Sequence, residues 1–321
     1  MADVSDSNLQ EIYPLLEQFD ILGAREILSS ELVKDIENNE ILFCLKICGF
    51  WDNHKNELIQ NSSILEQGET LLLDWKEFTD LVQAESGAHE KCMISIKKGV
   101  FTFALKIFTE LDSLLTNVNT QKNMQGIQRQ KVLLRMATCN KCLGNYVIAL
   151  DYLKKAAEFD TRDSSVIAEM ADCYAFCGEE KAAKIMFREA FFHNASSVDI
   201  KFLESQMFLQ VYEEVQKRHT NNEALLEWIP IEGYLLGIFN AVRQLSAVEA
   251  GKLKQDIFAL ENELKSEGSQ PEILKPRLIN KYFWLIDYYL VTNDPEYRSK
   301  INDNLLKIKL IDSDIYERYT V

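Results

Sequence analysis

Four cysteines have the residue type and spacing that could bind a metal ion. Cys139 and Cys142 form a Cys-x-x-Cys motif, and Cys173 and Cys177 follow about thirty-four residues later. Four thiolates are a common ligand set for structural zinc. However, the motif lies in a predicted helix instead of a knuckle turn, and cysteine is among the residue types most often buried. We therefore predict that these cysteines are core residues, that no metal is bound, and that a redox role is disfavoured.

Other residues that could carry catalysis are sparse. The four histidines lie far apart in the sequence, without an HExxH motif or a nearby Ser or Cys nucleophile, at His54, His89, His193 and His219. Neither of the two glycine-rich phosphate-binding motifs, Gly-x-Gly-x-x-Gly and Gly-x-x-x-x-Gly-Lys-Ser/Thr, is present. We predict that the chain is not an enzyme and uses no cofactor; an enzyme is the least favoured of three functional hypotheses.

The elements that would position any site repeat along the chain. Five residues of one segment recur thirty-four residues later with the same or similar type: Ala137, Gly144, Ala149, Leu153 and Ala156 correspond to Ala171, Gly178, Ala183, Phe187 and Ala190. Self-similarity at this period is typical of stacked repeats. Apolar residues spaced i, i+4 and i+7 after a glycine predict the second helix of a helical hairpin.

At these residues the chain resembles the tetratricopeptide repeat (TPR) family, whose pattern has a small residue, a turn glycine, and then Ala, a large apolar residue and Ala. Tyr146 supplies the aromatic residue after the first turn glycine, whereas Glu180 occupies that position in the second copy. Asn140 replaces a first-helix aromatic residue, and Thr161 and Ala195 stand where proline is usual. The resemblance implies an all-α, TPR-like helical-hairpin solenoid that binds other proteins and does not catalyse.

We predict three regions along the chain. Residues 1–84 read as degenerate helical hairpins and 221–321 as an additional C-terminal helical subdomain. Between them, residues 85–220 form the TPR-like array, with repeats near 85–116, 130–163 and 164–197 and a capping hairpin to 220. In the first of these repeats, Gly99 takes the place of the turn glycine, followed by Phe101, Ala104, Phe108 and Leu111.

The C-terminal region has a different apolar pattern. We predict a helix over 231–245 and another from Ser197 to about His219. A coiled-coil-like helix over 246–266 is predicted from a capping-box pair and a 4, 3, 4 seam: Ser246 with Glu249, then Leu253, Ile257, Leu260 and Leu264. Two apolar stripes over 276–290 predict a helix buried on most sides. Self-association through this aromatic helix is a minority interpretation.

Composition restricts the class of protein further. The chain has 321 residues, 47% hydrophobic, with a formal net charge of −15 and only 12 Gly and 5 Pro. Few turn-forming residues favour long helices, and net negative charge disfavours nucleic-acid binding. No signal peptide or membrane-spanning run is visible in the sequence, and seven scattered cysteines fit a reducing compartment. We expect a soluble cytoplasmic protein that does not insert into membranes.

The leading functional hypothesis is a protein-interaction scaffold or adaptor. The resemblance implies a concave groove lined by the first helices of the hairpins, at Lys131, Leu134, Thr138 and Lys141 in one repeat and Ser165, Ala168, Asp172 and Ala175 in the next. We expect Lys131, Lys141 and Asp172 to be solvent-exposed there. Mixed polarity suits a partner peptide or helix. The alternative is a regulator or secretion-type chaperone whose C-terminal helices gate the groove.

Overall fold

The computed structural model describes residues 4–61, 63–117, 122–220, 224–292 and 296–320. Within these ranges the regular structure is helical, without strands, which confirms the all-α fold class. The helices are α1 (Val4–Glu17), α2 (Ile21–Leu32), α3 (Asn39–Asn61), α4 (Ile64–Ser86), α5 (Glu90–Asn117), α6 (Lys122–Cys142), α7 (Tyr146–Ala157), α8 (Ser164–Phe176), α9 (Glu180–Asn194), α10 (Gln206–Arg218), α11 (Leu225–Leu235), α12 (Ala247–Glu263), α13 (Pro271–Thr292), α14 (Tyr297–Ile311) and α15 (Ser313–Thr320).

Contacts between residues divide the chain into two compact units, unit 1 (Met1–Phe159) and unit 2 (Asp160–Val321). The division falls between the two copies of the thirty-four-residue repeat. The sequence-based region boundaries after residues 84 and 220 are not tested by this division and stay predictions.

Unit 1 is organised around α5, which contacts α1, α4 and α6. Its core is aromatic: the rings of Trp51, Trp75 and Phe78 lie within 5.6–6.5 Å of one another, and Phe101 of α5 packs edge-on against Trp75. Ser63 begins α4 with a capping box formed with Glu66. The helix α1 continues through Pro14.

Gly99 does not lie in a turn, so the predicted hairpin at 85–116 is wrong in this respect. It occupies the middle of the continuous helix α5, where a Cβ atom would lie 2.0 Å from the carbonyl oxygen of Leu16. Glycine is therefore required for the close approach of α1 to α5. Phe101 and Phe108 are buried, and the hairpin that contains them is formed by α4 and α5.

The thirty-four-residue repeat is confirmed as two helical hairpins of matching local geometry. In unit 1, α6 packs against α7 across Gly144 (φ 82°), and in unit 2, α8 packs against α9 across Gly178 (φ 78°). The backbone hydrogen bonds correspond in register: Asn145 N–H donates to the carbonyl of Asn140 (2.8 Å), and Glu179 N–H to that of Tyr174 (2.9 Å). The paired repeat residues are buried, at Ala137/Ala171, Ala149/Ala183, Leu153/Phe187 and Ala156/Ala190.

The helix predicted over 231–245 is wrong, because α11 begins at Leu225 and ends at Leu235. Gly237 adopts φ 71°, and the N–H of Phe239 turns back to the carbonyl of Gly233 (2.7 Å). This termination places the Phe239 ring 5.1 Å from that of Phe187 in α9. The helix predicted from Ser197 likewise begins later, at Gln206, where Ser205 provides the N-cap.

The three helices α12, α13 and α14 pack in sequence within unit 2. The predicted capping box of Ser246 and Glu249 begins α12, and the predicted seam is buried at Leu253, Ile257 and Leu260. The seam belongs to the unit 2 core, in a cluster that includes α13. The prediction that 276–290 is buried on most sides is confirmed for residues up to 289.

Candidate protein-binding surfaces

The predicted groove residues of the first repeat lie along one face of α6. Lys131 is exposed, 3.6 Å from the carboxylate of Glu69. The Thr138 side chain is fully buried, and its hydroxyl donates to the carbonyl of Leu134 (3.1 Å). Lys141 is only 3% exposed, so the expectation that its charge faces solvent is wrong. Of these four side chains, only that of Lys131 is exposed.

The corresponding residues of the second repeat hold a segment of their own chain. The Ser165 hydroxyl donates to the carbonyl of Ser197 (2.8 Å) and accepts from the N–H of Asp199 (3.0 Å). Asp172 is fully buried, and its carboxylate accepts the N–H groups of Glu204 (3.0 Å) and Ser205 (2.9 Å).

The expected exposure of Asp172 is therefore wrong, because its carboxylate is used to satisfy backbone donors at the start of α10. Ala168 is buried in the core formed with α9 to α11, and Ala175 is half-buried. The segment 197–205 thus lies against the face of α8 that was predicted to bind a partner. Partner binding by the eight predicted residues stays a prediction.

The cysteines of the predicted core differ in exposure. Cys139 and Cys173, which occupy equivalent repeat positions, are fully buried as predicted. Cys142 is half-buried and Cys177 is exposed, so the core prediction is wrong for Cys177. Among the residues that the structure describes, no group of three or more His, Cys, Asp or Glu side chains could hold a metal ion.

Each histidine lies in a separate local environment. In unit 1, the His54 ring stacks on Phe50 and faces the Asp74 carboxylate (3.2 Å), whereas the His89 ring stacks on Phe43. In unit 2, His193 lies 3.5 Å from Glu189, and burial lowers the pKa of its imidazole. Within each unit, the structure gives these histidines separate neighbours and not a shared site.

Glu232 of α11 is the centre of a buried charge cluster in unit 2. Its fully buried carboxylate accepts two hydrogen bonds from the Arg318 guanidinium of α15 (3.0 and 2.5 Å). The His219 ring, which follows α10 and stacks on Trp228, lies 3.0 Å from the same carboxylate. The cluster therefore joins α10, α11 and α15.

The Glu232 cluster predicts a loss of stability in acid. Burial alone would raise the pKa of this carboxyl, but hydrogen bonds from His219 and Arg318 outweigh burial and hold the pKa at about 2. Because this value lies below that of the unfolded chain, the stabilisation is present above pH of about 4.3 and is lost as the pH falls toward 2. We expect Glu232→Gln to lower the stability at pH 7 by roughly 3 kcal/mol, estimated from the shift in pKa.

Thermal melts from pH 7 to pH 2 check this prediction. The difference between wild type and Glu232→Gln should shrink toward zero at the acid end. Asp314→Asn is the matched control, because Asp314 faces the same Arg318 (3.6 Å) from an exposed position. A Glu232→Gln deficit that is independent of pH would contradict the role of the ionised carboxylate.

A second buried network fixes the position of α13. The Arg188 guanidinium of α9 forms an ion pair with Asp287 of α13 and donates to the carbonyl of Ala241 (3.1 Å). The Tyr234 hydroxyl donates to the other oxygen of Asp287 (3.0 Å). The guanidinium also lies 4.4 Å from the ring centre of Trp284. These contacts set the register of α13 relative to the second repeat hairpin.

The position of α13 shapes a cavity between α12, α13 and α14, with a volume of about 310 Å³. We call it the lysine cavity because three lysines line it: Lys254, Lys300 and Lys307. Ile257, Leu285 and Tyr289 supply buried apolar lining. Phe258, at the same cavity, is 65% exposed. Glu261 and Asp303 line it as well, so the three lysines and two carboxylates leave a formal charge of +1 beside the apolar surface.

The three lysines differ in their neighbours. Lys307 is paired with Glu261 (2.7 Å), which also accepts from the Tyr282 hydroxyl (2.6 Å). Lys254 lies 5.4 Å from the ring centre of Tyr289, and Lys300 lies 4.8 Å from that of Tyr297. Within the described part of the chain, Lys254 and Lys300 have aromatic faces as neighbours instead of a carboxylate ion pair. Their charges are therefore available to an incoming group, beside the exposed carboxylate of Asp303 in the same lining.

The lysine cavity was not predicted from the sequence. Lys254 and Phe258 lie four residues apart on α12, outside the buried seam, and Lys300 and Lys307 lie seven apart on α14. An aromatic residue on the polar face of an amphipathic helix was the available signal. The helices α12 and α14 meet because both pack against α13. Contacts of this kind cannot be inferred from the spacing of residues within one helix.

The described residues define an all-α protein with two repeated helical hairpins. A scan of protein-family models finds no match, and searches of curated proteins and of solved structures give no significant match either. None of the described helices combines the length and the apolar character needed to cross a bilayer.

Proposed function

We propose that this chain is a non-catalytic protein-interaction scaffold or adaptor, built as a TPR-like helical-hairpin solenoid. The support for the repeat assignment is the register match between the α6–α7 and α8–α9 hairpins, in turn geometry, hydrogen bonding and buried residues. In each unit the apolar residues are largely buried between packed helices. Stacked helical repeats leave an extended surface to which a partner protein can bind.

The proposed partner is an acidic segment of another protein that carries an apolar side chain. The observation that carries this proposal is the lysine cavity, which is lined by Lys254, Lys300 and an exposed Phe258. An apolar anchor in a pocket with charged groups at the rim is the usual arrangement of a small protein-binding hot spot. A volume of about 310 Å³ accommodates one or two side chains rather than a whole helix.

The charge of the whole chain restricts how such a partner binds. A net charge of −15 repels an acidic segment at long range and does not accelerate its approach. At physiological ionic strength this repulsion is screened beyond about 8 Å, whereas the lysines act at contact distance. Electrostatics here therefore selects the docking position and orientation of the partner, and the apolar contact supplies most of the affinity.

A fluorescence anisotropy titration tests this proposal with a labelled peptide in which glutamates flank a single phenylalanine. The matching control peptide has lysine at each glutamate position. We expect the acidic peptide to bind the wild-type chain and the basic peptide to bind at least ten-fold more weakly. The double variant Lys254→Glu/Lys300→Glu should weaken acidic-peptide binding by at least ten-fold without changing the thermal melt.

The matched control variant is Lys252→Glu/Arg298→Glu, which makes the same charge change at exposed positions on α12 and α14 that do not line the cavity. It should retain the affinity of wild type. Equal losses in both double variants would mean that net charge alone matters and would contradict the site. Loss of binding only in Lys131→Glu would return the partner site to the predicted face of α6 and would also contradict the lysine cavity.

A further inference from the structure

Two buried cysteines of unit 1 lie in unusually close contact. The Sγ atoms of Cys44 in α3 and Cys92 in α5 are 2.7 Å apart, and both side chains are fully buried. A disulfide bond measures about 2.05 Å, so the two sulfurs lie only ~0.7 Å farther apart than bonded sulfurs. The proposed scaffold function does not involve this cysteine pair.

The surroundings keep the pair reduced and unreactive while the fold is closed. Cys48, one turn after Cys44 on α3, is also fully buried, and burial raises the pKa of its thiol to about 12. The hydrogen bond with Cys44, followed by burial, raises the pKa of the Cys92 thiol. Because the thiolate is the reactive form, thiols in this environment react slowly with oxidants in solvent.

We propose that Cys44 and Cys92 are a modification site at which a small-molecule disulfide, such as oxidised glutathione, forms a reversible cross-link between α3 and α5. One cysteine thiolate attacks a sulfur of the oxidant, forming a mixed disulfide and releasing one thiolate. The other cysteine thiolate then attacks the cysteine sulfur of the mixed disulfide and releases the second. Two protons and two electrons leave the protein, and the oxidant is reduced to two thiols.

The short distance between the two sulfurs favours the second step, in which the second thiolate attacks the mixed disulfide. The oxidant reaches the pair only during local opening, because both sulfurs are buried in the closed fold. Once one cysteine carries the mixed disulfide, partial reclosure brings the other sulfur beside it while the glutathione is still outside the core, so ring closure outcompetes a second oxidant molecule. The cross-link would join residues 48 positions apart, which restricts the unfolded chain and raises the stability of unit 1.

Peptide mapping of the full-length protein tests this proposal. The protein is incubated with oxidised glutathione at pH 8, with and without a urea concentration below the unfolding midpoint, then alkylated and cut with trypsin. Lys46 separates the two cysteines of α3, so Cys44 is in peptide 35–46, Cys48 in peptide 47–55 and Cys92 in peptide 92–97. We expect a disulfide between peptides 35–46 and 92–97 that forms faster in urea.

The cross-link should raise the melting temperature by roughly 5–10 °C relative to the reduced protein, and dithiothreitol should reverse the rise. Cys92→Ala should remove both the linked peptide and the rise, whereas Cys173→Ala should retain both. The exposed Cys177 reports whether the oxidant is active. Recovery of Cys44 and Cys92 as alkylated thiols in urea, while Cys177 is glutathionylated, would overturn the proposal. A link from peptide 92–97 to peptide 47–55 in place of 35–46 would overturn it as well.

Discussion

Asp287→Ala is expected to destabilise unit 2 by about 3–5 kcal/mol, because it leaves the Arg188 guanidinium buried without its carboxylate partner. The ion pair lies in the interior, with side-chain exposures of 3% and 6%. The substitution also removes the acceptor of the Tyr234 hydroxyl. A urea titration monitored by far-ultraviolet circular dichroism measures this loss in the free energy of unfolding.

Two further variants separate the buried charge from the cavity that alanine creates. Asp256→Ala is the matched control, because Asp256 pairs with Lys281 of the same helix α13 but is 54% exposed. It should cost no more than about 1 kcal/mol. Arg188→Met/Asp287→Leu removes both charges and should be more stable than Asp287→Ala. If the double variant is the less stable of the two, the unpaired guanidinium is not the cause of the loss.

Gly99→Ala and Gly49→Ala are expected to change the stability of unit 1 in opposite directions. A Cβ at position 99 would lie 2.0 Å from the Leu16 carbonyl oxygen, so α1 must move, at a cost of about 3 kcal/mol. A Cβ at position 49, within α3, meets no atom within 4 Å. Alanine there should stabilise the helix by about 0.5–1 kcal/mol, through its higher helix propensity.

The same urea titration, applied to both glycine variants, checks the packing of α1 on α5. Both substitutions add one methyl group inside a helix of the same unit, so propensity alone predicts the same sign for both. A stabilising Gly99→Ala would show that α1 does not approach α5 as closely as the structure indicates.

The sequence predicted the parts of the fold that depend on local spacing. The residues around Gly144 and Gly178 repeat with the period of a helical hairpin, and both hairpins form with the predicted turns. The capping box of Ser246 and Glu249 is equally local and begins α12 as predicted. These features involve contacts within one hairpin or one helical turn, which periodicity and capping chemistry report directly.

Features that depend on contacts between distant segments were not predictable in this way. Gly99 has the spacing of a turn glycine, but the backbone of α1, more than eighty residues earlier, determines its role. Gly237 ends α11 although the apolar spacing continues beyond it. In both cases the glycine could either end a helix or lie within a continuous one. Only the segment that packs against it distinguishes these two interpretations.

The residues of the candidate sites also depend on contacts between distant segments. Lys141 and Asp172 were expected in solvent because the resemblance to helical repeats places them on the concave face. Asp172 is buried because backbone N–H groups of a segment thirty-two and thirty-three residues later satisfy its carboxylate. The lysine cavity, conversely, requires α12 and α14 to meet, which no spacing within either helix predicts.

The hydrogen bonds of Ser165 and Asp172 have a consequence for attempts to lengthen this protein by design. One repeat earlier, the corresponding positions hold Lys131 and Thr138, neither of which has a carboxylate to bind two backbone N–H groups. A third copy of residues 164–197 inserted after Ser197 would carry a second Asp172, but Glu204 and Ser205, whose N–H groups satisfy this carboxylate, would follow only the last copy. A designed extension therefore needs an uncharged residue at the position of Asp172 in every copy except the last.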